Sequence, residues 1–194
     1  MPDTQKARNR KKKIDAIIEE AIRQGAATAK RIPVSHIVLD ERVRLKCQIP
    51  LCDSYNHNLM CPPRLPSVSE FRKILKLFSQ AILIQITAPL AAKPSQKTKD
   101  VYLPARKLHA LINTVEKMAF EDGYHYATGL IGGCCRLCPE CSALTPGIRC
   151  RHPFQARPSM EAMGIDVMST LEKAGMACSF PVTDHVCWTG LLLI

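Results

Sequence analysis

Residues 67–87, SVSEFRKILKLFSQAILIQIT, predict a helix over 67–79 followed by a buried strand over 81–87. Ser67 and Glu70 have the spacing of a capping box, which predicts that a helix begins beside them. The apolar residues of this helix, spaced as a stripe that faces a core, are Phe71, Ile74, Leu75 and Phe78. The run after the helix is short, apolar and rich in β-branched residues, which is typical of a buried strand.

Helix and strand alternate twice more along the chain. Apolar spacing and turn residues predict a helix over 103–122 with a strand over 124–131, and a helix over 166–174 with a strand over 188–194. Such alternation predicts one sheet with helices packed against it. We therefore expect an α+β fold with a single mixed sheet of about four to five strands, flanked by helices, and with two cysteine-rich loops.

Further elements are predicted nearer the N-terminus. Apolar residues at helical spacing predict a first helix over 13–24, which Gly25 ends. In 41–47, charged and apolar residues alternate strictly, which predicts a strand that turns Cys47 inward. Residues 48–66 contain several prolines and asparagines and are expected to form a loop.

Length, charge and hydropathy limit the possible classes of protein. The chain has 194 residues, of which 46% are hydrophobic and 23% charged; we expect a single domain over 14–194 after a basic flexible tail over 1–13. The net charge is +10, and half of it lies in that tail. Because only 5% of the residues are aromatic, little is available for base stacking, and nucleic-acid binding is not expected. No apolar run approaches the about 20 residues that cross a bilayer, so we expect no membrane contact and a cytoplasmic protein.

Ten cysteines are the unusual feature of the composition. In a reducing compartment thiols remain unpaired, so clustered cysteines are expected to be metal ligands or redox groups. Cys135, Cys138 and Cys141 are separated by two residues each, and Cys150 follows after eight more. Thiolates at this spacing can converge on one small inorganic core, as in the loops that hold a 4Fe–4S cluster.

Zinc is the alternative metal for this loop. Four cysteines with two-residue spacing also describe a structural zinc site. Zinc sites commonly use two separate pairs, whereas here Cys138 would be shared by two overlapping pairs, which favours iron-sulfur. The residues that could offset the negative charge of a cluster, or bring N–H groups to its sulfurs, are Arg136, Arg149, Arg151, His152, Gly132 and Gly133.

Cys47, Cys52 and Cys61 form a second constellation, and two prolines follow the last of them. A proline also follows the final cysteine of a ferredoxin run, so a second metal site is expected here, with an open fourth ligand. The candidates for that ligand are Cys178, Cys187, His57 and His185. An iron without a fourth protein ligand could instead bind a small molecule. The last two cysteines could equally be small buried hydrophobic residues.

The order of these cysteines and of the segments after them is similar to a family of prokaryotic predicted metal-binding proteins of unknown function. The resemblance spans roughly 34–194 and is carried by Cys-Pro-Pro at 61–63, CRLCPEC at 135–141, CRHP at 150–153 and RPSMEAMGIDV at 157–167. It implies a cytoplasmic protein with cysteine-bound metal, iron-sulfur in kind. The residues on the family's motif positions are Cys47, Cys52, Cys61, Cys135, Cys138, Cys141 and Cys150, and Cys134 is an addition to them.

Three functions are compatible with the sequence. The first is an iron-sulfur protein, with one or two 4Fe–4S clusters, that passes electrons to a partner enzyme or helps to mature one. Its positive charge favours an acidic redox partner, such as a flavodoxin-like carrier. The second is a zinc-stabilised interaction module, and the third is an enzyme with an open iron at the Cys47 site. The sequence does not decide whether the protein is an enzyme.

Overall fold

The computed structural model describes residues 2–89, 102–145, 147–176, 178, 182 and 185–194. Within these residues the helices are α1 (Pro2–Arg23), α2 (Glu41–Leu45), α3 (Val68–Leu75), α4 (Leu103–Glu121) and α5 (Val167–Ala174). The strands are β1 (Thr28–Pro33), β2 (Gln80–Pro89), β3 (Thr128–Leu130) and β4 (His185–Leu193). Single turns of 3-10 helix lie at Val34–His36, Ser142–Leu144 and Glu161–Met163.

The four strands form one sheet in the order β1–β2–β4–β3, and each neighbouring pair of strands runs antiparallel. The central pair, β2 and β4, extends from Ala81 opposite Leu193 to Pro89 opposite His185. Beyond the end of β3, a parallel bridge joins Ile131 to Ser159. The predicted α+β class and the single sheet flanked by helices are confirmed. The predicted mixed sheet is wrong, because all three pairs of described strands are antiparallel and the parallel bridge lies outside them.

Helices cover both faces of the sheet. On one face, Ile82 and Ile84 of β2 pack with apolar residues of α1 and α4. On the other face, Leu83 packs with apolar residues of α3 and α5. β2 is apolar at successive positions because neither of its faces meets water.

The local signals of the later helices are confirmed. Ser67 and Glu70 form the predicted capping box at the start of α3, each side chain accepting from the other residue's backbone N–H. Asp166 caps α5 by accepting from the backbone N–H of Ser169, and Gly175 ends that helix in the left-handed conformation. These residues satisfy helix-end groups that have no partner inside the helix.

The predicted strand over 41–47 is wrong, because Glu41–Leu45 form α2. The Asp40 carboxylate accepts from the backbone N–H of Arg42 at 2.8 Å and also pairs with its guanidinium. This cap stabilises a helical turn at a point where the alternation of side chains indicates a strand. Cys47 consequently follows a short helix and is half-buried, rather than turned inward from a strand.

Two features at the N-terminal end were not predicted. β1 lies at an edge of the sheet and buries only Ile32, so its polar sequence lacks the signal of a buried strand. α1 begins at Pro2, so the residues expected to form a tail continue the first helix. Lysine and arginine, which make up six of residues 2–13, are good helix formers. In the described part of the chain, no helix has both the length and the apolar character needed to span a membrane.

Candidate metal centre

The loop that contains Cys134 to Cys141 begins just after β3. A Cβ atom at Gly132 would lie 2.8 Å from the carbonyl oxygen of Thr189 in β4. Gly133 has φ +72°, and a Cβ atom there would lie 3.0 Å from the ring of Trp188. Only glycine fits this close approach at a positive φ, so the start of the loop is fixed against β4.

The loop and the segment after it surround a cavity of about 930 Å³. We call residues 132–145 the Cys135 loop and residues 147–157 the Cys150 segment. Five cysteines line the cavity: Cys134, Cys135, Cys138, Cys141 and Cys150. The four residues predicted to hold the first metal site therefore line one cavity, and a fifth cysteine lines it with them. All are free thiols, and among the described residues no three His, Cys, Asp or Glu side chains are grouped to hold a metal ion.

Backbone N–H groups point at three of the four predicted ligands. The N–H of Leu59 donates to Cys141 Sγ, and the N–H of His152 donates to Cys150 Sγ, each at 3.4 Å. Burial raises the pKa of Cys135, and N–H donors at Leu137 and Arg157 partly offset that rise. These donors, rather than Gly132 or Gly133, make the sulfur contacts. N–H groups favour the thiolate that a metal requires, so the donor set fits cysteine-bound metal.

Basic side chains lie around the same cavity. Arg136, Arg151 and His152, expected to offset the charge of a cluster, line it, whereas Arg149 is not among the lining residues. The Arg136 guanidinium lies 3.6 Å from the centre of the Tyr102 ring, at the start of α4. Because Arg136 is between two of the ligands in sequence, this cation–π contact holds the middle of the Cys135 loop against α4.

α4 also holds the Cys150 segment. His109 Nε2 donates to the carbonyl oxygen of Gln155 at 2.8 Å, and Asn113 Nδ2 donates to the same oxygen at 3.1 Å. Arg157 pairs with Glu116 at 2.5 Å, and both side chains are largely buried. A Cβ atom at Gly129 would lie 2.5 Å from Glu116 Oε2, so that glycine leaves room for the ion pair.

The predicted loop containing Cys47, Cys52 and Cys61 packs against the Cys135 loop. We call residues 47–61 the Cys47 loop. The buried Asn58 donates from Nδ2 to the carbonyl oxygen of Cys135 at 2.9 Å. Burial, followed by the neighbouring thiols of Cys134, Cys52, Cys47 and Cys135, raises the pKa of Cys61 to about 12. The two cysteine constellations are therefore neighbours in space.

A second cavity, of about 830 Å³, also borders the Cys47 loop. Its lining includes Cys47 and Cys52 together with two of the candidates for a fourth ligand, Cys178 and Cys187. Burial, followed by its hydrogen-bonded neighbour Cys187, raises the pKa of Cys178. The other two candidates lie elsewhere: His57 lines the first cavity and His185 is exposed at the start of β4.

Sequence reasoning missed the residues that position the loops. Asn58 and the pair of Arg157 with Glu116 make their contacts across long stretches of chain, and no local pattern marks them. Sequence reasoning also treated Cys134 as an addition, although it lines the same cavity as the four predicted ligands. Of these residues, only Arg157 had a signal in the sequence, because it begins the segment 157–167 that helps to carry the family resemblance.

Comparison with protein families gives a match that covers most of the chain. A family model described as "Predicted metal-binding protein (DUF2284)" matches residues 30–194. Neither the curated proteins nor the solved structures contain a significant match to the chain. The match covers both cysteine loops and all four strands except the first two residues of β1.

Proposed function

We propose that this chain, which belongs to the DUF2284 family of predicted metal-binding proteins, is an iron-sulfur protein. In this proposal Cys135, Cys138, Cys141 and Cys150 hold a 4Fe–4S cluster. Its role is that of a redox accessory, which transfers electrons to a partner enzyme or takes part in maturing one. Bound in this way, a 4Fe–4S cluster supplies one-electron chemistry at a potential tuned by its surroundings.

The observation that carries the proposal is the arrangement of five thiols around a cavity of about 930 Å³. A single zinc ion holds each thiolate at about 2.3 Å and therefore brings the sulfurs within about 3.8 Å of one another. A four-iron core binds each thiolate through a different iron and holds the sulfurs further apart. Ligands spread around a roomy cavity suit the larger core.

The chain's own residues would bind and tune such a cluster. N–H groups of Leu59, Leu137 and His152 stabilise negative sulfur. Arg136 and Arg151, which line the cavity, offset the cluster's negative charge and so favour the reduced state. Positioning is the task of α4, through its contacts with Gln155 and Arg157.

An acidic redox protein, such as a flavodoxin-like carrier, is the proposed partner. The net charge of +10 would steer such a partner during encounter. The proposed location is the cytoplasm, where a reducing environment would keep the free thiols available to the metal.

Anaerobic purification, followed by measurement of iron, sulfide and zinc and by a visible spectrum, tests this function. We expect at least about four irons and four sulfides per chain, with a broad absorbance that bleaches on reduction. Stoichiometric zinc without visible absorbance would overturn the redox function and favour the zinc-stabilised interaction module.

A pair of variants locates the cluster. Cys138→Ser should lose about four irons, because it removes one ligand of the first cavity. Cys187→Ser is the matched control, since its thiol lines only the second cavity, and it should keep the iron content of the wild type. Equal iron in both variants would place the cluster away from Cys138.

A further inference from the structure

Two cysteines that the proposed function does not use, Cys178 and Cys187, lie together at the second cavity. Their side chains are hydrogen-bonded to each other, and both residues line the cavity wall. Each is half-buried, so neither thiol is sealed within the core. The pair therefore combines direct contact between two thiols with access from a cavity.

Separate elements of the fold hold the two thiols in contact. Cys187 belongs to β4, where it lies opposite Thr87 of β2. Cys178 comes after the end of α5 and packs against the apolar core on the face of the sheet that α3 and α5 cover. A disulfide forms only between cysteines that the backbone already brings close. The fold thus provides the starting arrangement for a bond between these two sulfurs.

The second cavity can admit a small molecule beside the thiol pair. Its volume of about 830 Å³ lies within the range of small-molecule pockets, roughly 300–1,000 Å³. Met168 and Val182 line it and are exposed, although both are apolar. Charged side chains of both signs, including Lys46 and Glu161, line it as well. Apolar and zwitterionic parts, as in disulfides of small amino-acid-like thiols, match this lining.

We propose that Cys178 and Cys187 form a thiol–disulfide exchange centre, which reduces disulfides of small amino-acid-like thiols bound in the second cavity. This activity is independent of the proposed iron-sulfur function, because it uses neither the ligands of the cluster nor its electrons. In a reducing compartment, protein disulfides are usually transient and serve catalysis or redox sensing. A thiol pair at an accessible cavity suits such a transient bond.

The exchange takes place in two steps that need no further reactant. One thiol of the pair loses its proton and attacks a sulfur of the substrate disulfide, whose S–S bond breaks. The first small thiolate leaves and takes up that proton, while a mixed disulfide remains on the protein. The second protein thiol then attacks the mixed disulfide, and the other small thiol leaves with the proton of this second thiol. The protein pair is oxidised to one disulfide, the substrate is reduced to two thiols, and excess small thiol reverses both steps.

Disulfide mapping on the reduced full-length chain, purified anaerobically, tests this activity. The chain is equilibrated with mixtures of oxidised and reduced glutathione, its remaining thiols are alkylated, and it is digested without reduction for mass spectrometry. We expect a link between Cys178 and Cys187 that increases with the proportion of oxidised glutathione and disappears in excess reduced glutathione. Cys178→Ser and Cys187→Ser should lose the link, and at least one of them should retain glutathione on the remaining thiol.

Cys52→Ser is the matched control. It removes an exposed thiol of the same cavity and should form the link as the wild type does. A wild type that forms no link at any ratio of oxidised to reduced glutathione would overturn the proposal, as would a link from either thiol to Cys52. Faster reaction with a protein disulfide, oxidised thioredoxin, would overturn the choice of a small substrate. Each of these results is read from disulfides rather than from iron content, so it leaves the proposed function unaffected.

Discussion

The sheet and the two cysteine loops are stabilised in different ways. Residues 81–84, in the first half of β2, are fully buried between helices on both faces. The Cys47 loop and the Cys135 loop contain no strand and little helix, and isolated hydrogen bonds such as that from Asn58 join them. The sheet is stabilised by apolar burial, whereas the loops depend on a few polar contacts and on whatever their thiols bind. We therefore expect the sheet and its helices to fold even when no metal is bound at the loops.

The largest expected effect of removing bound metal is therefore confined to the loops. After anaerobic chelation, backbone amides of residues 47–61 and 134–143 should exchange more than about a thousandfold faster than those of β2 and α4. Hydrogen–deuterium exchange with mass spectrometry, compared between metal-bound and metal-free protein, measures this. If β2 lost as much protection from hydrogen exchange as the two loops do, the distinction between the sheet and the loops would be contradicted.

A change in the core should act in the opposite way. Ile82→Ala removes a fully buried side chain and should reduce the free energy of unfolding by about 2–5 kcal/mol, because a cavity remains. Urea unfolding of the metal-free protein, followed by circular dichroism, measures the change. Leu77→Ala is the control, since that side chain is 84% exposed and its loss should change stability by less than about 0.5 kcal/mol.

The contact between α4 and the Cys150 segment should have an intermediate effect. Glu116→Gln replaces the ion pair with a hydrogen bond from the charged Arg157 to a neutral amide, in a largely buried place, and should cost about 2 kcal/mol. Glu121→Gln, which alters an exposed pair with Lys117, is the matched control and should cost about 0.5 kcal/mol or less. Equal unfolding free energies for the two variants would mean that Arg157 contributes nothing through this contact.

The smallest expected effect concerns pH. Burial lowers the pKa of His109, so the folded protein binds this proton less readily than the unfolded chain, whose histidine pKa is about 6.5. Stability contributed by neutral His109 is present above that pH and declines as the pH falls below it. The decline should be weaker in His109→Gln than in the wild type, when unfolding free energies are compared from pH 7 to pH 5. His125→Gln, at an exposed position, should keep the wild-type slope.

The core was predictable where a local signal coincided with burial. The capping box at Ser67, the apolar run of β2 and the ends of α5 each need only a few neighbouring residues to be recognised. β1 was not predicted, because it lies at the edge of the sheet and pairs only with β2. Its sequence therefore shows little alternation of apolar and polar residues. α2 was mistaken for a strand because the cap from Asp40 outweighed the alternation.

The sequence predicted which cysteines could bind a metal, but not how the loops that contain them pack together. The spacing of Cys135, Cys138 and Cys141 brings them to one loop, and the first cavity contains all three. Nothing local indicates that Asn58 reaches Cys135 from 77 residues away. That contact depends on how the two loops are placed relative to each other, which only the tertiary structure determines.

Trp188 lies behind both loops. It is the protein's only tryptophan, its ring would meet a Cβ at Gly133, and its centre is 6.5 Å from that of Tyr102. An iron-sulfur cluster absorbs where indole emits, so the fluorescence of this one side chain should be quenched when the neighbouring thiols are occupied. If the proposed cluster is present, this side chain is an internal optical reporter, by which its loading and loss can be followed in real time without a label.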